Sequence, residues 1–192
     1  MTGNDIVDIA TAAAESNWKR KGFLGKIFTL QEQQYIYNAS QPEQMVWRLW
    51  SMKESAYKIY TRQYGGRFYA PQKLSCTLLN ETAGLVIIHN NTYQTITSST
   101  KDYIYSIARP GGEKPDFLND CFRIPKQFYA GQQNFIYKKL TTSYAGSNGA
   151  DAANLTILKD KKNIPFLYCK KEKIKIPVSI THHGNYAAFT IN

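Results

Sequence analysis

Residues 42–64 read PEQMVWRLWSMKESAYKIYTRQY and give the strongest structural signal in the chain. Ser40 and Glu43 have the Ser-x-x-Glu spacing of a capping box, and Pro42 suits a first helical turn. With Gly65-Gly66 directly after the segment, these signals predict a helix of roughly six turns. At about 100° per residue, its apolar side chains share one broad arc, as in a helix packed on a core. The residues on this arc are Met45, Val46, Leu49, Trp50, Met52, Ala56, Tyr57, Ile59 and Tyr60.

Lys53 falls in the middle of this apolar arc. Because a buried ammonium costs several kcal/mol unless it is paired, we expect an anionic group beside Lys53, from the protein or from a ligand. Glu54 and Lys58 lie one turn apart at the edge of the arc, on the same side as Trp47. The helix alone leaves a second interpretation open, since a lysine can extend to solvent and Glu–Lys pairs are common on exposed helix faces.

Length and composition are those of an ordinary globular protein. The 192 residues can bury one core or two small halves, and 43% of them are hydrophobic. No apolar run approaches the roughly 20 residues that span a bilayer, and Asp5 and Asp8 follow Met1 too closely for a signal peptide. The three cysteines lack the spacing of a zinc site or a disulfide framework. We therefore expect a cytoplasmic protein.

The chain is strongly basic, with 24 Lys and Arg against 14 Asp and Glu and a net charge of +10. Such a field attracts anionic partners, which include nucleic acid, phosphorylated cofactors and acidic proteins. The sequence has no helix-turn-helix, zinc-finger or RNP-type motif that would favour nucleic acid. Charge alone does not choose between the other two.

The order of predicted elements indicates an α+β protein built as two similar halves, with antiparallel sheets packed on helices. Arg109-Pro110-Gly111-Gly112 breaks the pattern, and we place the boundary there, between parts 1–110 and 111–192. In the first part we predict a strand over 3–9, an Ala-rich helix ending near Gly22, a helix over 30–38 that starts with the Thr29–Glu32 capping box, and strands over 73–79, 84–89 and 102–108. In the second we predict a helix over 125–144 and strands over 154–158, 165–169, 178–180 and 186–191.

Asp5, Glu54 and Lys58 together suit a hard divalent cation with phosphate. Mg²⁺ is typically held by one or two carboxylates, with water and phosphate oxygens completing its shell, and a nearby ammonium offsets phosphate charge. Asp8 precedes the Ala-rich helix and is interpreted as its cap. Residues 179–184, SITHHG, end a strand with hydroxyls and imidazoles, which either face a ligand phosphate or simply face water.

Two segments in the first part resemble signatures of the 4′-phosphopantetheinyl transferases. Gly3–Val7 resembles the G-x-D motif, and Trp50–Lys58 resembles the long and specific W-x-x-K-E-[AS]-x-x-K motif, with Phe28–Glu32 between them. Near the C-terminus, 163–167 (NIPFL) resembles the family's G-K-P segment. The sequence SITH at 179–182, followed by YAAF, resembles its S-x-[ST]-H…Y-A-x-A strand pair.

The resemblance implies the family's fold and the transfer of phosphopantetheine from coenzyme A to a serine of an acidic acyl or peptidyl carrier protein, with Mg²⁺. Carried over by position, Asp5 and Glu54 would hold Mg²⁺. Glu54 or a metal-bound water would deprotonate the serine, and Lys58 would stabilise charge on the displaced phosphate. Thr181 and His182 would contact the phosphates of the adenosine end.

Two positions depart from the family pattern. Val7 stands where larger members often place a further acidic ligand, which leaves two protein carboxylates for the metal. Ile164 replaces the lysine of G-K-P, so we expect Lys161, Lys162 or another base to supply that phosphate contact. Lys53 is a further candidate contact to coenzyme A, because its anionic partner can come from a ligand.

The order of the motifs leaves two architectures open. In larger, two-halved members the S-x-[ST]-H half comes first, whereas here it comes last. The chain resembles either a two-halved member with swapped halves, which we expect to be monomeric, or a small holo-acyl-carrier-protein synthase enlarged by insertion, which we expect to self-associate. A second function class also stays open, a non-catalytic basic protein on the same scaffold that binds nucleic acid or an acidic partner, with strong salt dependence and no dependence on Glu54.

Overall fold

The computed structural model describes residues 1–66, 68–112 and 116–192 and has two five-stranded antiparallel sheets packed on helices. The first sheet and its helices comprise β1 (Gly3–Asp8), α1 (Ile9–Glu15), α2 (Phe23–Ile27), α3 (Leu30–Asn38), α4 (Pro42–Tyr64), β2 (Leu74–Leu78), β3 (Ala83–Ile88), β4 (Asn91–Ser99) and β5 (Tyr103–Pro110). The second comprises β6 (Leu118–Arg123), α5 (Gln132–Asn148), β7 (Leu155–Lys159), β8 (Pro165–Cys169), β9 (Ile174–His183) and β10 (Tyr186–Ile191). Short 3₁₀ helices span Pro71–Lys73, Lys126–Gly131 and Ala152–Asn154.

The two sheets have the same strand order. The first runs β1-β5-β4-β3-β2 and the second β6-β10-β9-β8-β7, so each places its first strand at an edge beside its last. In both, the helices lie between the first and second strands of the sequence. The predicted α+β fold with two similar halves is thereby confirmed, while the division at residue 110 into separate parts stays a prediction.

The long helix is confirmed over Pro42–Tyr64, but the predicted capping box at Ser40 is wrong. The cap position is taken by Gln41, because Pro42 is the first helical residue and a residue before proline is held out of the helical conformation. The helix ends at Gly65, whose φ of +69° suits glycine. The second capping box does form, since Thr29 Oγ1 accepts from the Glu32 amide at 3.3 Å while Glu32 accepts from the Thr29 amide at 2.8 Å.

Several element boundaries differ from the prediction. The Ala-rich helix stops at Glu15 instead of near Gly22, and α2 follows it as a separate short helix. Strands β4 and β6 were not predicted. The buried face of β4 carries Thr95 and Thr97 beside Tyr93, and Thr97 shares a hydrogen bond of 2.9 Å with Ser106. A strand whose buried face is largely polar lacks the hydrophobic alternation by which strands are recognised.

The anionic partner expected for Lys53 is Glu32. The ammonium lies 2.7 Å from Glu32 Oε2 and donates to the carbonyl oxygens of Ile27 at 3.0 Å and Pro71 at 2.9 Å. Lys53 is fully buried, and the Phe28 ring lies 5.2 Å from its nitrogen. Its three N–H groups therefore have protein acceptors, which corrects the expectation that Lys53 binds coenzyme A.

The Glu32 carboxylate also has hydrogen-bond partners for both of its oxygens. Besides the Lys53 ammonium and the Thr29 amide, it accepts from the backbone amide of Cys76 at 2.6 Å. The pair thus joins α2, α3, α4, β2 and the segment at Pro71 at one buried point.

The two halves meet where β1 packs against β9 and β10. Thr2 donates to Thr190 across this interface at 2.8 Å, and the Asn4 amide donates to Ser179 Oγ at 3.2 Å. Ile6, Tyr105 and Ala188 form a small buried apolar cluster there. The strand that carries Asp5 is therefore held by both halves.

Among the described residues, no helix is both long and apolar enough to cross a membrane.

We predict that Lys53→Met lowers the free energy of unfolding by about 3–5 kcal/mol, because it leaves the Glu32 carboxylate buried without its counter-charge. The measurement is urea denaturation. Lys139→Met is the matched control, since Lys139 pairs with Asp120 at 3.7 Å with both side chains substantially exposed, and such a pair contributes about 0–1 kcal/mol. Equal losses in the two variants would contradict the role assigned to the buried pair.

Candidate active site

A cavity of about 370 Å³, here called the first cavity, opens beside the junction of the two halves. Both predicted metal ligands, Asp5 on β1 and Glu54 on α4, line it, as does His182 on β9. Its other walls are mainly apolar and aromatic. They include Ile6, Val7, Ala12, Phe23, Ile27, Trp47, Trp50 and Tyr69, with Ser16 and His183.

Close approach of β1 to α4 brings the two carboxylates to one place. Gly3 permits this approach, because a Cβ at that position would collide with the carbonyl oxygen of Ser55. Ser51 Oγ donates to the Asp5 carbonyl at 3.0 Å and ties the strand to the helix. The glycine of the G-x-D segment thus has a packing reason that the sequence pattern alone did not reveal.

Asp5 is paired with Lys58 in this structure. Lys58 Nζ lies 3.5 Å from Asp5 Oδ1 and donates to the Asn4 carbonyl at 2.7 Å. Thr181 Oγ1 donates to the same Asp5 oxygen at 3.3 Å. The Asp5 side chain is only 13% exposed, and this burial raises its pKa, although Lys58 and Thr181 act in the opposite direction.

Glu54 is half-buried and has an unusual acidity. Burial is the larger cause and the charge of Asp5 the second, and together they raise the pKa of Glu54 from 4.5 to about 7, against the opposing charge of Lys58. A carboxylate that titrates near neutral pH can accept a proton from a substrate hydroxyl efficiently. Without a bound cation, Glu54 therefore exchanges its proton near neutral pH.

The residues present fit a hard divalent cation. Asp5 and Glu54 are each disfavoured as anions by burial, and a cation between them would offset that cost. The described part of the chain holds no cluster of three or more His, Cys, Asp or Glu side chains. Asp5 and Glu54 are the two carboxylates among the residues that line the first cavity. That number suits Mg²⁺, which usually keeps several waters and takes substrate phosphate oxygens.

Thr181 and His182 face different surroundings. Thr181 is buried and its hydroxyl donates to Asp5, so it lies beside the carboxylates, and its contact with the adenosine phosphates stays a prediction. His182 lines the first cavity and also a second cavity of about 630 Å³, between α5 and the strands β7 to β9. Burial, then the charge of Lys58 and that of His183, lowers the pKa of His182. His182 therefore borders both cavities.

The second cavity is lined by part of the NIPFL segment, Asn163 and Pro165, and by residues that the sequence interpretation did not name, among them Lys159 and Tyr137. Its polar lining includes Lys159 at the end of β7, Asn163 and Tyr137. Neither Lys161 nor Lys162 is among its lining residues. The sequence indicated Lys159 only as the first residue of the basic stretch KDKK. It did not show which of the three lysines faces the cavity, because the turn after Lys159 decides that. The complete lining is Tyr129, Ala130, Gln132, Gln133, Ile136, Tyr137, Lys159, Asn163, Pro165, Ile180 and His182.

The tip of the β9–β10 hairpin is anchored to the start of α1 by Asp8. Asp8 Oδ1 accepts from the Thr11 amide at 3.1 Å, which confirms its predicted cap role, and Oδ2 accepts from the backbone and side-chain nitrogens of Asn185 at 2.8 and 2.9 Å. His183 Nδ1 accepts from the Asp8 amide at 2.9 Å. Gly184 has a φ of +53° and no room for a Cβ, which would collide with Thr11. This anchor holds the strand of Thr181 and His182 against the first half.

Comparison with known proteins gives one family. A sequence profile of the 4′-phosphopantetheinyl transferase superfamily matches residues 1–108, which contain Asp5, Glu54 and Lys58. Among solved structures, holo-[acyl-carrier-protein] synthase from Thermotoga maritima is similar, with 12% sequence identity and a TM-score of 0.45 over 68% of this chain and 73% of that one. A search of curated protein sequences finds no significant match.

We predict that the metal-free protein, studied in EDTA, loses stability as the pH rises from about 4.5 to about 7. The pKa of Glu54 is higher in the folded chain than its ordinary value of 4.5, so the unfolded chain releases this proton at a lower pH than the folded chain does. Between these two pH values the free energy of unfolding therefore decreases as the pH rises. Urea denaturation at a series of pH values measures it. Glu54→Gln should flatten this part of the profile, whereas Glu43→Gln, on the first turn of the same helix, should not.

Proposed function

Because the chain belongs to the 4′-phosphopantetheinyl transferase superfamily, we propose that it transfers phosphopantetheine from coenzyme A to a serine of an acyl or peptidyl carrier protein, with Mg²⁺. Members of the family use coenzyme A as donor, generally with a divalent metal, and a carrier protein as acceptor. One observation carries the proposal for this chain. Asp5 and Glu54, on different elements, line one cavity, with Lys58 paired to Asp5.

Asp5 and Glu54 would hold the divalent ion, which when bound neutralises charge on the diphosphate of coenzyme A. Glu54 accepts the proton of the serine hydroxyl. The serine oxygen then forms its bond to phosphorus as the bond from phosphorus to the bridging diphosphate oxygen breaks, and the adenosine bisphosphate leaves. Lys58 lies beside Asp5 and balances the negative charge on that leaving phosphate.

The adenosine end of coenzyme A is assigned to the second cavity. His182 lines both cavities and Lys159 lines the second, so a ligand that extends from the first cavity past His182 would come close to Lys159. Lys159 supplies the basic contact that the replacement at Ile164 removes. Lys161 and Lys162 follow in the exposed turn after β7 and are proposed as contacts outside the cavity.

The acceptor is proposed to be an acidic carrier protein. The net charge of +10 favours association with acidic surfaces and accelerates encounter at low ionic strength. We propose that the protein acts in the cytoplasm, where coenzyme A and carrier proteins are available. Carriers of fatty-acid synthesis and of secondary pathways both satisfy this chemistry.

We predict that incubation of an apo carrier protein with coenzyme A and Mg²⁺ adds the mass of one phosphopantetheine group to the carrier. Glu54→Gln should lower the initial rate by roughly 10²-fold or more, because an amide neither takes a proton nor binds the cation well. Intact-protein mass spectrometry reads both. Glu43→Gln, distant on the same helix, is the matched control and should keep the wild-type rate.

A non-catalytic basic binding protein gives a different result in that assay. It would bind carriers or nucleic acid in a salt-dependent way, produce no mass gain on any carrier, and respond equally to the two glutamate substitutions. Absence of any mass gain across carriers of several types would overturn the proposed function.

We predict that Lys159→Met raises the KM for coenzyme A by about ten-fold with little change in kcat, because a hydrogen bond to a charged group contributes about 1.5–3 kcal/mol and Lys159 is partly in solvent. Steady-state kinetics with coenzyme A varied measures the effect. Lys170→Met removes a charge from an exposed turn outside the second cavity and is the control. A fall in kcat with an unchanged KM would remove Lys159 from the coenzyme A site.

A further inference from the structure

The two sheets have the same register between their first and last strands. In the first sheet, Asp8 lies opposite Tyr103 and Asp5 opposite Ser106. In the second sheet, Arg123 lies opposite Tyr186, which begins β10 as Tyr103 begins β5. Counting back three residues from Arg123 leads to Asp120, opposite Phe189, so Asp120 occupies in β6 the place that Asp5 occupies in β1.

Contact between equivalent residues supports this correspondence. The rings of Tyr103 and Tyr186, which the register makes equivalent, pack on each other with centroids 5.0 Å apart. Residues related by an approximate two-fold axis meet their own equivalents only near that axis. The two tyrosines therefore mark where the axis passes between the halves.

The ion pair of the candidate site has a counterpart in the second half. Lys58 on α4 lies 3.5 Å from Asp5, and Lys139 on α5 lies 3.7 Å from Asp120. The residue after each lysine, Ile59 or Leu140, is fully buried, so the two helices present corresponding faces to their sheets. A carboxylate on the first strand and an ammonium on the following long helix thus occur twice.

The second carboxylate of the site has no counterpart. Glu54 lies four residues before Lys58, and Phe135 lies four residues before Lys139. The Phe135 ring stacks on Phe128 with centroids 4.6 Å apart and meets Phe122 edge-on at 5.9 Å. An aromatic cluster therefore fills the place where the first half keeps a carboxylate.

We propose that the second half carries a closed copy of the candidate metal site, in which Asp120 and Lys139 keep the framework and Phe135 excludes the cation. The ligand class of the copy is a hard divalent cation, because Asp120 supplies one carboxylate oxygen donor and the position of Phe135 can supply a second. The inference rests on the proposed function of Asp5 and Glu54 only for the identity of the ion. It follows that the natural chain binds one such ion, and that a single carboxylate at position 135 opens the second site.

The experiment counts bound Mn²⁺ by electron paramagnetic resonance, with Mn²⁺ in place of Mg²⁺. Wild type should bind one ion and Phe135→Glu two. Glu54→Gln should bind none, and the double variant Glu54→Gln with Phe135→Glu should regain one. Phe135→Gln is the matched control, because it removes the same ring without adding charge, and it should bind one ion as wild type does.

The difference in the number of bound ions between Phe135→Glu and wild type tests the closed copy. The number bound by wild type tests the site at Asp5 and Glu54. The two can therefore fail separately. Since Phe135→Glu removes ring stacking and can unfold the second half, Phe135→His is a second variant that keeps a ring and supplies an imidazole ligand, read with Co²⁺ absorption. Circular dichroism establishes folding of each variant. The same ion count in folded Phe135→Glu, Phe135→His and wild type would overturn the proposal.

Discussion

The buried contact between Lys53 and Glu32 holds the first half in the shape that the site requires. An ammonium and a carboxylate are stable away from water only when every donor and acceptor is satisfied, and here the carbonyl oxygens of Ile27 and Pro71 and the amide of Cys76 complete the set. Because these groups come from separate elements, one contact sets where α2 and the segment at Pro71 lie relative to α4. Phe23 and Ile27 of α2 line the first cavity together with Glu54, so this part of its wall depends on the contact.

The charged residues near the first cavity, Asp5, Glu54 and Lys58, are less completely neutralised than the buried Lys53–Glu32 pair. Lys53 is neutralised within the core, whereas Glu54 lies close enough to Asp5 for the charge of Asp5 to help raise its pKa, and burial raises the pKa of both carboxyls. Lys58 offsets only part of this repulsion. Lys53 and Glu54, neighbours on α4, thus have different roles: Lys53 pairs with Glu32 of α3 inside the core, and Glu54 lines the first cavity. The difference comes from burial and from what each side chain faces.

Both halves contribute to the cavity, so its assembly depends on the contact between β1 and β9. The anchor of Asp8 on Asn185 fixes the end of the hairpin that carries Thr181 and His182. The two halves share one strand order, and they meet where β1 of the first half packs against β9 and β10 of the second. Divergence at Phe135 leaves the halves alike in architecture and different in chemistry.

Local signals in the sequence determined the helix over 42–64, the cap at Thr29 and the neighbouring positions of Glu54 and Lys58, because helical periodicity acts over a few residues and is written in the chain. The family resemblance followed from the same short motifs. Tertiary structure alone decided that Lys53 pairs inside the core and that Lys159 faces the second cavity. It also decided that one face of the polar strand β4 is buried and that Asp5 and Glu54 line the same cavity. These outcomes depend on contacts between residues far apart in the chain. A local sequence pattern does not predict which of those residues become buried or which partners they contact.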